Sequence, residues 1–372
     1  MDPRQQILRE RLIELGFDDM RVARVHDLPG DRLQAWLGAG MHGEMGWMER
    51  TVEKRLHPNR VLPEAKSIIM LGVNYWSGEA TPAGSKWARY AQYEDYHDTI
   101  KSALEQAGRW LEELFKVGPT EYRYYVDTGP VIERGWAAKA GLGFVGKNAM
   151  LISKRHGNWL FLASMLTTID LEPDAPVRSQ KTEFADVGLL CGKCTRCIDA
   201  CPTQAFASPG VVDARRCISY QTIENKGVIP RELRSGIGMH IYGCDICLEV
   251  CPWNRFASAG RQLLLSARKD IPEISLLEIL NLTPVTFAAI FRKTPIKRLK
   301  LAGILRNACV VAGNSGDGSL LPTLVNLATH ELSLVRVHAV WAAIRLGGLG
   351  LLSVSREQET DQTVLEEYAL AE

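Results

Sequence analysis

Eight of the chain's nine cysteines fall between Cys191 and Cys251, and their spacing leaves few folds open to that stretch. The first run reads Cys191-x2-Cys194-x2-Cys197-x3-Cys201-Pro202. In that register, short loops let three thiolates grip one iron–sulfur cubane while the fourth points away to another. The second run begins upstream at Cys217 and resumes, after a long insertion, as Cys244-x2-Cys247-x3-Cys251-Pro252. By the crossover, Cys191, Cys194, Cys197 and Cys251 hold one [4Fe–4S] cluster, and Cys201, Cys217, Cys244 and Cys247 hold the second. Zinc sites bring their four ligands in pairs and have no reason for this register. Cys309, beside Ala308 and Val310 in an apolar helical stretch, reads as a core thiol. Two adjacent clusters are a wire for single electrons, and the long segment before them implies a second redox centre or a substrate there.

The chain has 372 residues, 46% of them hydrophobic, which is ample for a sizeable core. A formal net charge of +1 gives no global attraction to nucleic acid or membrane, so any such partner meets a local patch. The opening MDPRQQILRERLIELGFDD lacks the apolar region of a signal peptide. No apolar run reaches the ~20 residues that span a bilayer. The longest, LAGILRNACVVAG, is interrupted by Arg306 and Asn307. A cytoplasmic location without a membrane partner is expected, and there thiols stay reduced and serve as metal ligands before disulfides.

Leu8, Leu12 and Leu15 share one face of an opening helix that Gly16 terminates. The stretch from Asp27 to Pro63 reads as loop-rich. Strands are expected over Ser67–Tyr75, Glu121–Val126 and Trp159–Thr167, and helices over His97–Phe115 and Val131–Ala140. That alternation indicates an α/β or α+β first domain, residues 1–172. A polar linker, Glu172–Glu183, leads into a compact cysteine domain, residues 173–262. Residues 263–372 read as helical, over Ser275–Leu280, Lys297–Gly313 and Leu320–Leu346, the last two suggesting a short HEAT-like pair. The polar, acidic end from Ser353 reads as frayed.

Val126-Asp127-Thr128-Gly129-Pro130-Val131-Ile132-Glu133-Arg134, then Ala140-Gly141-Leu142-Gly143-Phe144-Val145-Gly146-Lys147-Asn148, resembles the epoxyqueuosine reductase family. So do Glu53-Lys54-Arg55, Asp95-Tyr96-His97, Arg216-Cys217-Ile218-Ser219-Tyr220 and Tyr242-Gly243-Cys244-Asp245. The match runs in order to about Trp253. The resemblance implies a cobalamin-dependent enzyme that performs the last step of queuosine synthesis, reducing epoxyqueuosine at the tRNA anticodon wobble position to queuosine. It further implies an N-terminal corrinoid-binding domain like that of reductive dehalogenases, a ferredoxin-like domain with two [4Fe–4S] clusters that feed the cobalt, and an external donor such as a ferredoxin or flavodoxin. A monomer is expected.

The resemblance makes Asp127 the candidate proton donor, where spacing alone favours an Asx-turn residue. It makes Arg55 a corrinoid ligand, although a solvated charge is the plainer reading, and it puts Lys147 and Asn148 on the cofactor rim. Ser219, Lys226 and Asp245 lie between or beside cluster ligands, where the corrin should approach. Gly141-x-Gly143-x-x-Gly146 follows a helix rather than a strand and so fails the context of a dinucleotide loop. The Asp-x-His-x-x-Gly motif of proteins that ligate cobalt through histidine is missing, since Asp95-Tyr96-His97 continues with Asp98-Thr99-Ile100. Arg292, Lys293, Lys297, Arg298, Lys300 and Arg306, in a stretch without acidic residues, form the candidate tRNA surface. A dehalogenase acting on a small organohalide and a non-catalytic ferredoxin-type carrier are the competing functions.

Overall fold

The computed structural model describes residues 2–78, 86–177, 187–261 and 264–370. The linker read at Glu172–Glu183 runs into residues outside this set, as does the boundary at 262. Two compact units interleave the chain. The first contains residues 1–79, 95–213 and 246–266; the second contains 80–94, 214–245 and 267–372. No described helix is long and apolar enough to cross a membrane.

The first unit is built on a four-stranded sheet, β1 (Asp19–Arg24), β2 (Ser67–Asn74), β3 (Tyr122–Tyr125) and β4 (Leu160–Thr167), in the order β1-β2-β4-β3. Every pairing is antiparallel, with Ile69 opposite Val22 on one side and Met165 on the other. The fold is therefore α+β, and the rule placing ligands at the carboxyl ends of parallel strands has no purchase on Asp127. Strand β2 is buried along its whole length, so its SIIMLGVN sequence is apolar throughout rather than alternating. Ile68, Met70 and Leu166 share one core with Trp136, Ala137 and Leu142. The intervening Ile69, Leu71 and Met165, also buried, point to the other face. The helices Pro3–Leu15 and Tyr96–Phe115 pack against each other, the first on β1 and the second on β3.

Strand β1 and the short helices Asp31–Gly38, Trp47–Arg50 and Val52–Leu56 replace part of what reads as loop in the sequence. The glycine run after the helix Glu133–Lys139 has packing reasons. Gly141 is left-handed at φ 85°, and a Cβ there would stand 2.1 Å from the Ala175 carbonyl oxygen. A Cβ on Gly143 would meet the Ile152 carbonyl at 2.5 Å. These glycines admit neighbouring backbone, not a phosphate.

The second unit is mainly helical. Lys300–Ser315 packs against Ser333–Arg345, with Leu321–Leu327 also on the latter. The C-terminal segment read as frayed is instead helical, over Ser353–Gln358 and Gln362–Ala369. Val364 and Tyr368 are buried, Glu367 is paired with Arg231 and Arg234, and Glu359 accepts two bonds from Arg336. Its acidic residues are anchors.

Gly141→Ala combines a strained φ with a backbone clash, and is expected to destabilise the chain by about 2–3 kcal/mol. A thermal midpoint equal to wild type would show that the close approach is not required.

Candidate active site and cluster ligands

Asp127 follows β3 in the left-handed region, at φ 58°, an unusual and costly conformation for a residue with a side chain. Its exposed carboxylate accepts a hydrogen bond from the Tyr96 hydroxyl at 3.0 Å and lies 3.7 Å from His97 Nε2. Asp95 caps the Tyr96–Phe115 helix by accepting the His97 backbone N–H, and holds His97 Nδ1 at 2.7 Å. The Tyr96 ring stacks between His97 and Phe161. One helix N-terminus thus aims a phenol and an imidazole at a single carboxylate.

Behind this group stands Glu133, which accepts the Asp127 backbone N–H and the Ser164 hydroxyl, both at 3.4 Å. Burial, then the charge of Asp127, pushes its carboxyl up to about 8. For His97, burial works to lower the pKa, but the hydrogen bonds and charges of Asp127 and Asp95 outweigh it and raise it to about 9. At neutral pH both groups are protonated, so two protons flank Asp127.

Arg55 bonds Thr51 Oγ1 and the Val131 carbonyl; burial lowers its pKa against the charges of Glu133 and Asp127. Arg134, on Ala149 O at 2.6 Å, is exposed to solvent, yet enough protein surrounds it for desolvation to lower its pKa as well.

Cys191, Cys194, Cys197 and Cys251 converge. The Cys191 thiol is raised by burial and by Cys251 and Cys194, although the Lys147 backbone N–H opposes this. Burial, with Cys191 and Cys251, pushes Cys197 up to about 11, against the N–H groups of Cys197 and Ile198. Cys191 and Cys197 thus lie near Cys251 and receive backbone N–H groups, a donor arrangement that fits a cubane. Cys201 Sγ accepts the Ala205 N–H at 3.3 Å. Cys309 is fully buried, its thiol pushed far up by desolvation, as expected for a core residue.

The remaining candidates are engaged with protein groups. Lys147 Nζ donates to the carbonyls of Gly192 and Cys194, and buried Asn148 donates to Asn158 Oδ1 and the Cys247 carbonyl. Asp245 accepts the Arg89 N–H. Ser219 is half-buried in the helix Ile218–Ile223. Lys226 Nζ bonds the Ile223 carbonyl; burial lowers its pKa, and its charged neighbours include Glu224, Arg298 and Lys300, which puts it on the basic surface. Arg292, Lys293, Lys297, Arg298 and Lys300 are exposed around the turn Pro295–Leu299, with Arg298 3.7 Å from Glu224. Arg306 does not belong with them. It is fully buried and spends its guanidinium on backbone carbonyls and Asn307.

Sequence reasoning missed Glu133 and Arg134 as site residues, although both stand in the motif around Asp127. A Glu–Arg pair opening a helix looks like solvated helix-end chemistry, and only the desolvation of both side chains sets them apart.

Thiolates gathered for electron traffic and protons stored beside a carboxylate are the equipment of an iron–sulfur oxidoreductase, the class that fold and site define. A family model described as "Epoxyqueuosine reductase QueG, DUF1730" matches residues 55–128, and one described as "4Fe-4S double cluster binding domain" matches 190–254. The epoxyqueuosine reductase of Vibrio cholerae is 37% identical over 344 residues, 90% of each chain, and that of Cellulophaga algicola is 37% identical over 304 residues, 81% of this chain and 95% of its own. An epoxyqueuosine reductase solved with an epoxyqueuosine-modified tRNA-Tyr stem loop superposes at TM-score 0.85 with 28% identity, covering 99% of this chain and 97% of its own. The Bacillus subtilis enzyme, with an aspartate-bearing catalytic loop swung out of its active site, gives 0.85 at 30% identity over the same shares. The chain belongs to the epoxyqueuosine reductase family. It is an oxidoreductase of that activity, and the dehalogenase and simple-carrier readings fall away.

Because His97 is raised by Asp127, Asp127→Asn is expected to bring its titration midpoint down from about 9 toward the ordinary 6.5. Imidazole NMR measures this; an unmoved midpoint would show the pair is not coupled. The sign follows for stability: the imidazolium's contribution is complete below about pH 6.5 and is lost as pH rises through about 9.

Proposed function

We propose that the chain reduces epoxyqueuosine in the tRNA anticodon to queuosine, with Asp127 as proton donor, cobalamin held beside Arg55, and electrons entering through two [4Fe–4S] clusters. The observation that carries this is the convergence on the Asp127 carboxylate of the Tyr96 hydroxyl, at 3.0 Å, and His97 Nε2, at 3.7 Å. Removing an epoxide oxygen as water consumes two protons and two electrons. When bound, the corrinoid supplies a strongly nucleophilic low-valent metal centre, and the clusters supply electrons singly.

The chain's own residues do the rest. Asp127 passes a proton to the departing oxygen and is steadied by the Tyr96 hydroxyl. His97, oriented by Asp95, holds the proton that replenishes it, while Glu133 accepts the Asp127 backbone N–H and fixes its turn. Arg55 supports the cofactor from beside Asp127, with Lys147 and Asn148 on its rim. The corrinoid-binding part resembles that of reductive dehalogenases, the cluster segment is ferredoxin-like, and the helical tail is HEAT-like. A tRNA substrate fits a cytoplasmic location and an electron donor such as a ferredoxin or flavodoxin. The wobble nucleotide must leave its stack to reach Asp127. Arg292, Lys293, Lys297, Arg298 and Lys300 offer the tRNA backbone an exposed cationic surface.

Asp127→Asn, with corrinoid and iron still bound, is expected to slow single-turnover reduction of an epoxyqueuosine-containing stem loop by ~10²–10⁴-fold; a wild-type rate removes Asp127 as donor. Reversing Lys297 and Lys300 to Glu should weaken tRNA binding and flatten its log–log salt dependence by roughly 0.7–0.9 per lost phosphate contact. An unchanged slope would place tRNA elsewhere.

A further inference from the structure

We propose that Arg306 and Asn307 are positioning residues for the second iron–sulfur cluster, clamping from the C-terminal helix the two chain segments that carry Cys217 and Cys244. The proposal rests on the assignment of those cysteines to that cluster.

Cys217 stands at the N-terminus of the helix Ile218–Ile223, and Cys244 lies just past the strand His240–Tyr242. Asn307, 1% exposed, splits its two amide protons between the Thr222 carbonyl and the Ile241 carbonyl, each at 2.8 Å. One carboxamide therefore ties the Cys217 helix to the Cys244 strand. Its oxygen is fixed in turn by Arg306, whose Nε and Nη2 reach it at 3.0 and 2.9 Å. The remaining guanidinium protons go to the carbonyls of Gln221 at 2.8 Å, Asn225 at 2.7 Å and Gly227 at 2.9 Å. All five N–H groups of Arg306 are thereby used on carbonyl-type oxygens. Two further bonds grip the residues flanking Cys244: the Gly243 N–H donates to Thr222 Oγ1 at 3.0 Å, and the Arg89 N–H to Asp245 Oδ2 at 2.7 Å.

A fully buried guanidinium is an expensive way to fill a helix interface, because the cation gives up its hydration. Leu305, Ala308, Val310 and Val311 fill the same helix without that cost. What the arginine supplies is directional bonding to the Gln221 carbonyl in the last turn of the Cys217 helix, where carbonyls carry partial negative charge, and to those of Asn225 and Gly227 just beyond it. Metal ligands must hold their distances to within roughly 0.2 Å. A clamp joining both ligand-bearing segments to a rigid helix meets that demand, and van der Waals packing alone does so less well.

The test uses the full chain, purified anaerobically. Arg306→Ala is expected to lower iron from about eight to about four atoms per chain. The remaining electron paramagnetic resonance spectrum should match that of Cys217→Ser, with the circular dichroism unchanged. Arg306→Lys, which keeps three donors, should recover part of the lost iron. Full iron and an unchanged spectrum in Arg306→Ala would overturn the clamp, as would loss of both clusters together with helical signal. If Cys217→Ser itself kept both clusters, the ligand assignment beneath the proposal would be overturned instead.

Discussion

Gathering cysteines from distant parts of the chain is the constraint on which the cluster region depends. Burial, with the neighbouring cysteines, raises the Cys191 and Cys197 thiols, so the polypeptide must hold them in place before iron can exploit the arrangement. Lys147 is the hub of that effort. Its backbone N–H meets the Cys191 sulfur, its ammonium binds the carbonyls of Gly192 and Cys194, and its own carbonyl takes the Gly210 N–H at 2.8 Å. Two residues earlier in the same brace, Gly188 N–H binds Val145 O at 2.7 Å. The glycines before Lys147 now have a purpose. They let the segment lie against neighbouring backbone closely enough for this brace to reach the cluster loop.

A second brace runs through amides. Asn148 reaches the Cys247 carbonyl and Asn158, and Asn158 reaches Asn254 Oδ1, whose amide nitrogen bonds the Leu248 carbonyl. A buried amide network of this kind is costly when partly satisfied and rigidifying when complete. It fixes the short helix between Cys247 and Cys251 to the first unit. Chemistry and scaffold are thus joined by hydrogen bonds, so that thiolates distant in sequence share a geometry.

The cluster cysteines were legible in the sequence because ligand spacing is a local property, imposed by loop length. So were the long elements: SIIMLGVNY and the leucine periodicity of His97–Phe115 give signals that packing only reinforces. Strand direction was not legible, because burial on both sides makes an antiparallel strand such as β2 as uniformly apolar as a parallel one. Strand β1, DMRVAR, hid because its charged residues obscure the buried Met20, Val22 and Ala23. At the active site, Asp127 stood out only through its motif. Glu133 escaped notice because what sets it apart is a raised pKa, and that shift comes from burial and from a carboxylate six positions away in the chain.

Arg306 shows how a charge run can mislead and where the correction was written. By simple proximity it extends the basic stretch from Arg292 to Lys300. Yet LAGILRNACVVAG has no polar face: from Gly303 to Gly313 every residue is buried. A helix apolar all round lies inside the protein, so a cation on it cannot face solvent and must find internal acceptors. Asn307 beside it is the clue to what those acceptors are, since two adjacent amphoteric or cationic side chains in an apolar helix signal a buried polar network rather than a binding surface. The tail therefore has two kinds of basic residue. Those up to Lys300 lie at or before the start of the enclosed helix and stay exposed. Arg306, inside that helix, answers backbone carbonyls of the segment following Cys217, so the tail is tied to the ligand-bearing chain and is not only a surface appended to it.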